Sequence, residues 1–289
     1  MNGAGEAIEG RRSEVFAPGV LEGRVALVTG GGTGLGKASA LELARCGAAV
    51  TIAGRRGEVL EQAAAAIAEL LGKGTVDWVV GDVRERGDGR RLVETVLERR
   101  GQLDVLVNNA GGQFFSPAEL IAAKGWRAVW RLNVEGMLNM SEAAFELALE
   151  RANGGTIVNV TLSPHNGMPG MAHSGSARAT VEALTRELAR RWEHAGVTVS
   201  AVAAGHFDTE VLSKYPASVR AGASRTVPLQ RLGTVSEHAW LVALLASPLG
   251  RAFGGSTITL DGARDNWCGP WPPPGLADES GEVPTEERR

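Results

Sequence analysis

The chain is poor in the residues that make cross-links, metal sites and phenolic acids. Its two cysteines, Cys46 and Cys268, lie far apart and in no metal-ligand spacing, so neither a disulfide framework nor a zinc site is expected, and a reducing cytoplasm is the simplest home. Tyrosine occurs once, as Tyr215, so a phenol for acid–base work can come from that position alone. No uninterrupted apolar run reaches the roughly 18 residues that a membrane helix needs. Residues 1–12, rich in Gly, Glu and Arg, lack the apolar stretch of a signal peptide. Neither sign of charge dominates: a net charge of -3 and a pI near 6.0 give no overall attraction to nucleic acid or to an anionic membrane. These absences leave a soluble enzyme or binding protein.

The 289 residues, 44% hydrophobic and 22% charged, have the make-up of a globular protein. Short β-branched runs at 25–28, 49–53, 76–80, 103–107, 156–160, 197–202 and 256–260 read as strands. Between them, residues 35–45, 58–71, 87–100, 126–151, 174–194 and 236–245 repeat apolar side chains at helical spacing. This alternation predicts an α/β, Rossmann-type, doubly wound parallel sheet of about seven strands with helices on both faces. Residues 1–20 read as a flexible segment, 21–263 as one domain, and the Pro/Gly-rich, then charged, 264–289 as an extended tail. Residues 205–233, which hold Tyr215, show no strong period and are expected to form a lid or binding excursion.

The stretch Thr29-Gly30-Gly31-Gly32-Thr33-Gly34-Leu35-Gly36 joins the first strand to the first helix. Such a turn aims backbone N–H groups and a positive helix terminus at one point, which suits a pyrophosphate. Taken alone it also fits a turn that binds nothing.

Further motifs follow in order: Asp82-Val83 after the third strand, Asn108-Asn109-Ala110-Gly111 after the fourth, Asn133 in a long helix, and Leu260-Asp261-Gly262 near the end. With the glycine turn, they make residues 21–263 resemble the short-chain dehydrogenase/reductase family. The resemblance implies a dinucleotide held by Gly30, Thr33, Gly34, Leu35 and Gly36. Asp82 would accept a hydrogen bond from the adenine amino group and Val83 would cover the ring. Asn109, Ala110 and Gly111 would lie against ribose and pyrophosphate, and Gly205, Phe207 and Thr209 in the segment at the nicotinamide carboxamide, although Ala204 stands where a proline is usual. At the end of strand two, Gly54 replaces the acidic residue of NAD-preferring members and is followed by Arg55 and Arg56. Guanidinium groups bind phosphate in bidentate fashion, so NADP(H) is expected over NAD(H); a solvated basic turn is the plainer alternative. The family also implies a homotetramer or homodimer.

The proton-transfer set departs from the family pattern of serine, tyrosine and, four residues on, lysine. Aligned by the helix, Leu162 falls at the serine position with Ser163 beside it, Ser174 at the tyrosine position and Arg178 at the lysine position; Asn133 is kept. Within the family, the run from Asn108 to Glu119, the string His173-Ser174-Gly175-Ser176-Ala177-Arg178 and Asp265-Asn266-Trp267 resemble peroxisomal trans-2-enoyl-CoA reductases, 2,4-dienoyl-CoA reductases and bacterial citronellol or citronellal dehydrogenases. Enoyl reduction leaves charge on a thioester enolate. It needs an oxyanion donor and a proton for the α-carbon, not a phenol to protonate an alkoxide. Arg178 then serves as a cation against the cofactor ribose, or as a structural salt bridge. Ser174 donates to the carbonyl or caps its helix. Ser163, His165 and the neighbouring His173 are further candidates, and Tyr215 a remote one. Three functions are carried forward: an NADP(H)-dependent reductase of an enoyl-CoA-like C=C bond, an alcohol/ketone oxidoreductase on a terpenoid or fatty substrate, and a cofactor-binding protein with impaired catalysis.

Overall fold

The computed structural model describes residues 10–72, 74–162, 170–210, 212 and 227–265. The strands are β1 (Val25–Thr29), β2 (Ala49–Gly54), β3 (Val76–Val80), β4 (Val105–Asn108), β5 (Gly155–Leu162), β6 (Val197–Ala204) and β7 (Thr257–Leu260). They form one seven-stranded parallel sheet in the order β3-β2-β1-β4-β5-β6-β7. Side chains alternate across it: Val25 and Leu27 enter one core, Ala26 and Val28 the other. The first core is closed by α3 (Arg86–Arg100), α4 (Ala123–Trp130), α5 (Gly136–Ala144) and, after the short α6 (Glu150–Ala152), α7 (Ala172–Trp192); the second by α1 (Gly34–Arg45), α2 (Gly57–Leu71) and α8 (Val235–Ala246). The expected Rossmann-type architecture is therefore present.

Element ends differ from the sequence reading for local reasons. β4 starts at Val105; just before it the carboxylate of Asp104 accepts hydrogen bonds from the Val25 N–H (2.8 Å) and from Arg24 (2.9 Å). The long helix expected over 126–151 is a run from α4 to α6 interrupted by π-helical turns at Arg131–Glu135 and Phe145–Leu149. At the sheet edge, Arg91 and Arg99 donate to the carbonyls of Val80 and Trp78 (both 3.0 Å) on β3. Guanidinium groups thus occupy acceptors that a further strand would otherwise use.

Residues 205–233 are closed at their base by a bridge between Phe207 and Gly233, flanked by Gly233 N–H to His206 O and Asp208 N–H to Gly233 O (both 2.9 Å). Tyr215 lies outside the described residues. Thr234 then starts α8 with a capping box: its hydroxyl accepts from the Glu237 N–H while Glu237 accepts from the Thr234 N–H. Arg231 clamps the same carboxylate and lowers its pKa to about 2. Among the described residues, no helix is long and apolar enough to cross a membrane.

α8 packs on α1 through the fully buried His238, whose Nδ1 lies 3.3 Å from Ser39 Oγ. Ser39 spends its one proton on Leu35 O (2.8 Å), so Nδ1 must carry the imidazole proton. Burial lowers the His238 pKa to about 4. Between pH ~6.5 and ~4 the unfolded chain binds a proton that the folded chain refuses, so stability is lost as pH falls through that window. Urea unfolding across it should show wild-type stability declining, with His238→Gln removing up to about 1.4 kcal/mol per pH unit of the slope. Equal slopes would show that His238 is charged in the folded protein.

Candidate active site

The sheet order reverses between β1 and β4, and their carboxyl ends open the crevice in which folds of this class bind ligands. Here the glycine turn meets the loop after β4. A Cβ at Gly36 would collide with Asn109 Nδ2 and Gly30 O, so only hydrogen fits between turn and loop. Asn109 Nδ2 donates to Thr29 O (3.0 Å) and Gly30 O (3.2 Å). In return, Thr29 Oγ1 accepts from the N–H groups of Asn109 (3.1 Å) and Ala110 (3.0 Å). The Asn109 side chain is thus a brace for the turn. Thr33 occupies the N-cap of α1 in extended conformation, its side chain makes no capping hydrogen bond, and the first turn holds no acidic residue. The start of α1 keeps its positive character, as a pyrophosphate requires. Gly34, at φ 52°, turns the chain into α1, and Thr209 lies 3.9 Å from where its Cβ would be. The turn, Ala110 and Thr209 are therefore neighbours, and the cradle fits a dinucleotide.

At the other end of the crevice, Arg55 and Arg56 follow Gly54 and are exposed. Asp82 is engaged by a residue the sequence reading passed over. Arg84 Nε donates to both carboxylate oxygens (2.9 and 3.0 Å), joined by its Nη2 and backbone N–H. These bonds, with a smaller contribution from the nearby Arg55, hold the Asp82 pKa below the usual carboxylate range. A basic residue two positions after the aspartate was the available signal. Val83, expected to cover the adenine ring, is 6% exposed and packs against Gly136 in the first core. Phe207 is likewise buried, its ring centroid 5.7 Å from that of His238, while Gly205 packs directly on Asp261.

The reacting end is built on Gly111. A Cβ there would lie 2.5 Å from Arg178 Nη2 and 2.9 Å from Asn133 Oδ1, so the glycine permits both polar groups to close over the loop. Asn133 sits in the first π-turn, donates to Val129 O (2.7 Å) and Gly112 O (2.9 Å), and accepts from the Gly112 N–H (3.2 Å). Arg178, nearly buried, donates to Val160 O on β5 (2.8 Å). Ser174 lies one helical turn earlier on the same face. It is fully buried, and its hydroxyl donates to Gln113 Oε1 (3.0 Å). Because Met171 is the cap of α7, Ser174 is no helix cap, which removes the plainer of its two readings. His173, only 1% exposed, packs on Phe114 at 4.2 Å and Trp126 at 6.1 Å; burial holds its pKa below the ordinary value. Leu162 ends β5, whereas Ser163 and His165 lie outside the described residues.

Beneath the site runs a buried polar chain. Asn108 Nδ2 donates to Ser141 Oγ and Asn159 Oδ1, and Asn159 Nδ2 donates to Thr185 Oγ1 (each 2.9 Å), linking β4, α5, β5 and α7. Gln113 and Phe114 belonged to the run from Asn108 to Glu119 but had no assigned role in the sequence; their placement depends on how the β4 loop folds over α7. Among the described residues, no group of three or more His, Cys, Asp or Glu side chains is gathered to hold a metal.

A family model described as enoyl-(acyl carrier protein) reductase matches residues 30–263. A probable 2,4-dienoyl-CoA reductase of Bacillus subtilis is 35% identical over 87% of this chain and 100% of its own. The peroxisomal 2,4-dienoyl-CoA reductase of Danio rerio is 34% identical over 86% and 84% respectively. Among solved structures, the citronellol catabolism dehydrogenase of Pseudomonas aeruginosa PAO1 superposes with a TM-score of 0.78 at 41% identity, covering 87% of this chain and 98% of that one. With its parallel sheet, braced glycine turn and Asn133–Arg178 cluster, the chain belongs to the short-chain dehydrogenase/reductase family of oxidoreductases.

Proposed function

We propose that the protein is an NADP(H)-dependent reductase of the C=C bond of an enoyl-CoA-like thioester. The observation that carries this reading is the placing of Ser174 and Arg178 on one face of α7, Ser174 against Gln113 and Arg178 against Gly111 beside Asn133. A serine hydroxyl donates a hydrogen bond well but is a poor acid, and a guanidinium stays protonated at any working pH. Such a pair suits stabilising an enolate oxygen better than protonating an alkoxide. When bound, NADPH supplies a hydride to the carbon β to the thioester. Ser174 holds the thioester oxygen, Arg178 places a positive charge beside the ribose, and Asn133 fixes the loop at Gly112 that faces both. Gly30 to Gly36, Ala110, Gly111 and Thr209 cradle the pyrophosphate and nicotinamide side, while Arg55 and Arg56 take the 2′-phosphate. Asp82, shared with Arg84, faces the adenine. The proton for the α-carbon comes from Ser163, His165 or a water. Phe114 and Phe115, 41% and 38% exposed at the start of α7, give an acyl chain an apolar surface. The dienoyl-CoA reductases among the relatives support the thioester reading. We place the enzyme in the cytoplasm as a dimer or tetramer.

The likeness to a citronellol catabolism dehydrogenase favours a second reading, an alcohol/ketone oxidoreductase acting on a hydrophobic substrate. Absorbance assays of NADPH oxidation separate the two: crotonyl-CoA and longer enoyl-CoAs should be turned over faster than a panel of ketones. The reverse order would favour the second reading, and tight NADPH binding with no turnover would favour a cofactor-binding protein with impaired catalysis. Asn133→Ala and Arg178→Ala should each lower turnover on the order of 100-fold; unchanged rates would remove them from the mechanism. Arg55→Ala should weaken NADPH about 10-fold or more while sparing NADH. Equal losses for the two cofactors would sink the phosphate assignment.

A further inference from the structure

We propose that Gln113 is a positioning residue that aims the Ser174 hydroxyl, an inference resting on the reading of Ser174 as the donor to the substrate oxygen. The hydroxyl has one proton and two lone pairs. In the arrangement present, that proton goes to Gln113 Oε1 at 3.0 Å, so a substrate oxygen could not receive it. Turned end for end, the same amide offers its N–H to Ser174 Oγ, and the hydroxyl proton becomes available to the substrate. Either arrangement keeps one hydrogen bond within the pair, so the exchange leaves the fully buried serine satisfied throughout.

The flanking contacts make amide orientation the coordinate that matters. Gly112, immediately before Gln113, is gripped at both its N–H and its C=O by Asn133 (3.2 and 2.9 Å). Phe114, immediately after, packs on His173, the residue before Ser174, at a ring separation of 4.2 Å. Ser174 itself is set in the first turn of α7 by its N–H bond to Met171 O (2.9 Å). The backbones on both sides of the pair are thereby held, and the hydroxyl's direction follows the amide. Asn133 gains a second role, because it fixes the loop from which Gln113 acts.

A double-mutant cycle tests the proposal. With crotonyl-CoA and NADPH, Gln113→Leu should lower kcat roughly tenfold, the kinetic equivalent of one neutral hydrogen bond, with KM for the thioester changed far less. In a Ser174→Ala background the same substitution should have no further effect. Gln113→Glu keeps the shape, but its carboxylate only accepts and retains the hydroxyl proton. Its kcat should fall as pH rises through the carboxyl titration and recover on the acid side, a limb absent from wild type. Urea unfolding of the four proteins in the cycle should also show the pair coupled. Equal kinetic losses with and without Ser174, no new pH limb, or no coupling in unfolding would each overturn the role of Gln113 while leaving an active reductase. If the wild-type protein turned over no enoyl-CoA, the functional reading and the proposal would fall together.

Discussion

The close approach of the glycine turn to the loop after β4 is the constraint on which the rest of the site depends. Gly36 leaves room for Asn109, and Asn109 ties both Thr29 and Gly30 to the end of β4. Thr29 answers with its hydroxyl on the Asn109 and Ala110 amides. If the turn were pushed away by a single Cβ, the start of α1 and the small residues Ala110 and Gly111 would no longer face one crevice. Gly111 extends the same logic to the reacting end, where its missing side chain admits Arg178 and Asn133. Absent side chains thus define both the place for a cofactor and the place for the chemistry.

Around that constraint, buried hydrogen bonds support the crevice from below. The chain of Asn108, Asn159 and Thr185 crosses from β4 to α7 under the site, so the loop and the helix facing it share one buried scaffold. The π-turn holding Asn133 aims its amide back at Gly112, which an uninterrupted α-helix would direct differently. On the opposite face, His238 couples α8 to the first turn of α1 through Ser39 and Leu35. A buried imidazole is therefore linked to the start of the helix that follows the glycine turn.

The parallel sheet and its helices were legible in the sequence, because five-residue apolar strands and amphipathic helices repeat with clear punctuation; the strand order came from the structure. The glycine turn, Asn109 and the residues at 133, 174 and 178 were also legible as motifs. What local pattern could not give was the outcome of competition for one surface. Val83 and Phe207 are apolar residues in motif positions, and how far each is buried in the core could not be read from the motif. Asp82 was readable as an acceptor, whereas its engagement by Arg84 depends on the shape of the turn after β3. Ser174 looked equally suited to capping; its buried bond to Gln113, 61 residues away, is a tertiary fact with no local signature.

The proposed function rests on aligning Ser174 and Arg178 with the tyrosine and lysine of the family pattern. With a hydroxyl and a permanent cation in their places, the residues of α7 can hold an oxygen and a ribose, but they are not suited to passing a proton directly to an alkoxide. The account therefore stands on where the hydride goes. Crotonyl-CoA should be reduced with NADPH deuterated at the transferred position and the product analysed by mass spectrometry. The account predicts one deuterium on the carbon β to the thioester, with the carbonyl carbon unlabelled. Deuterium found only on the carbinol carbon of a reduced ketone, with none transferred to any enoyl-CoA, would contradict it.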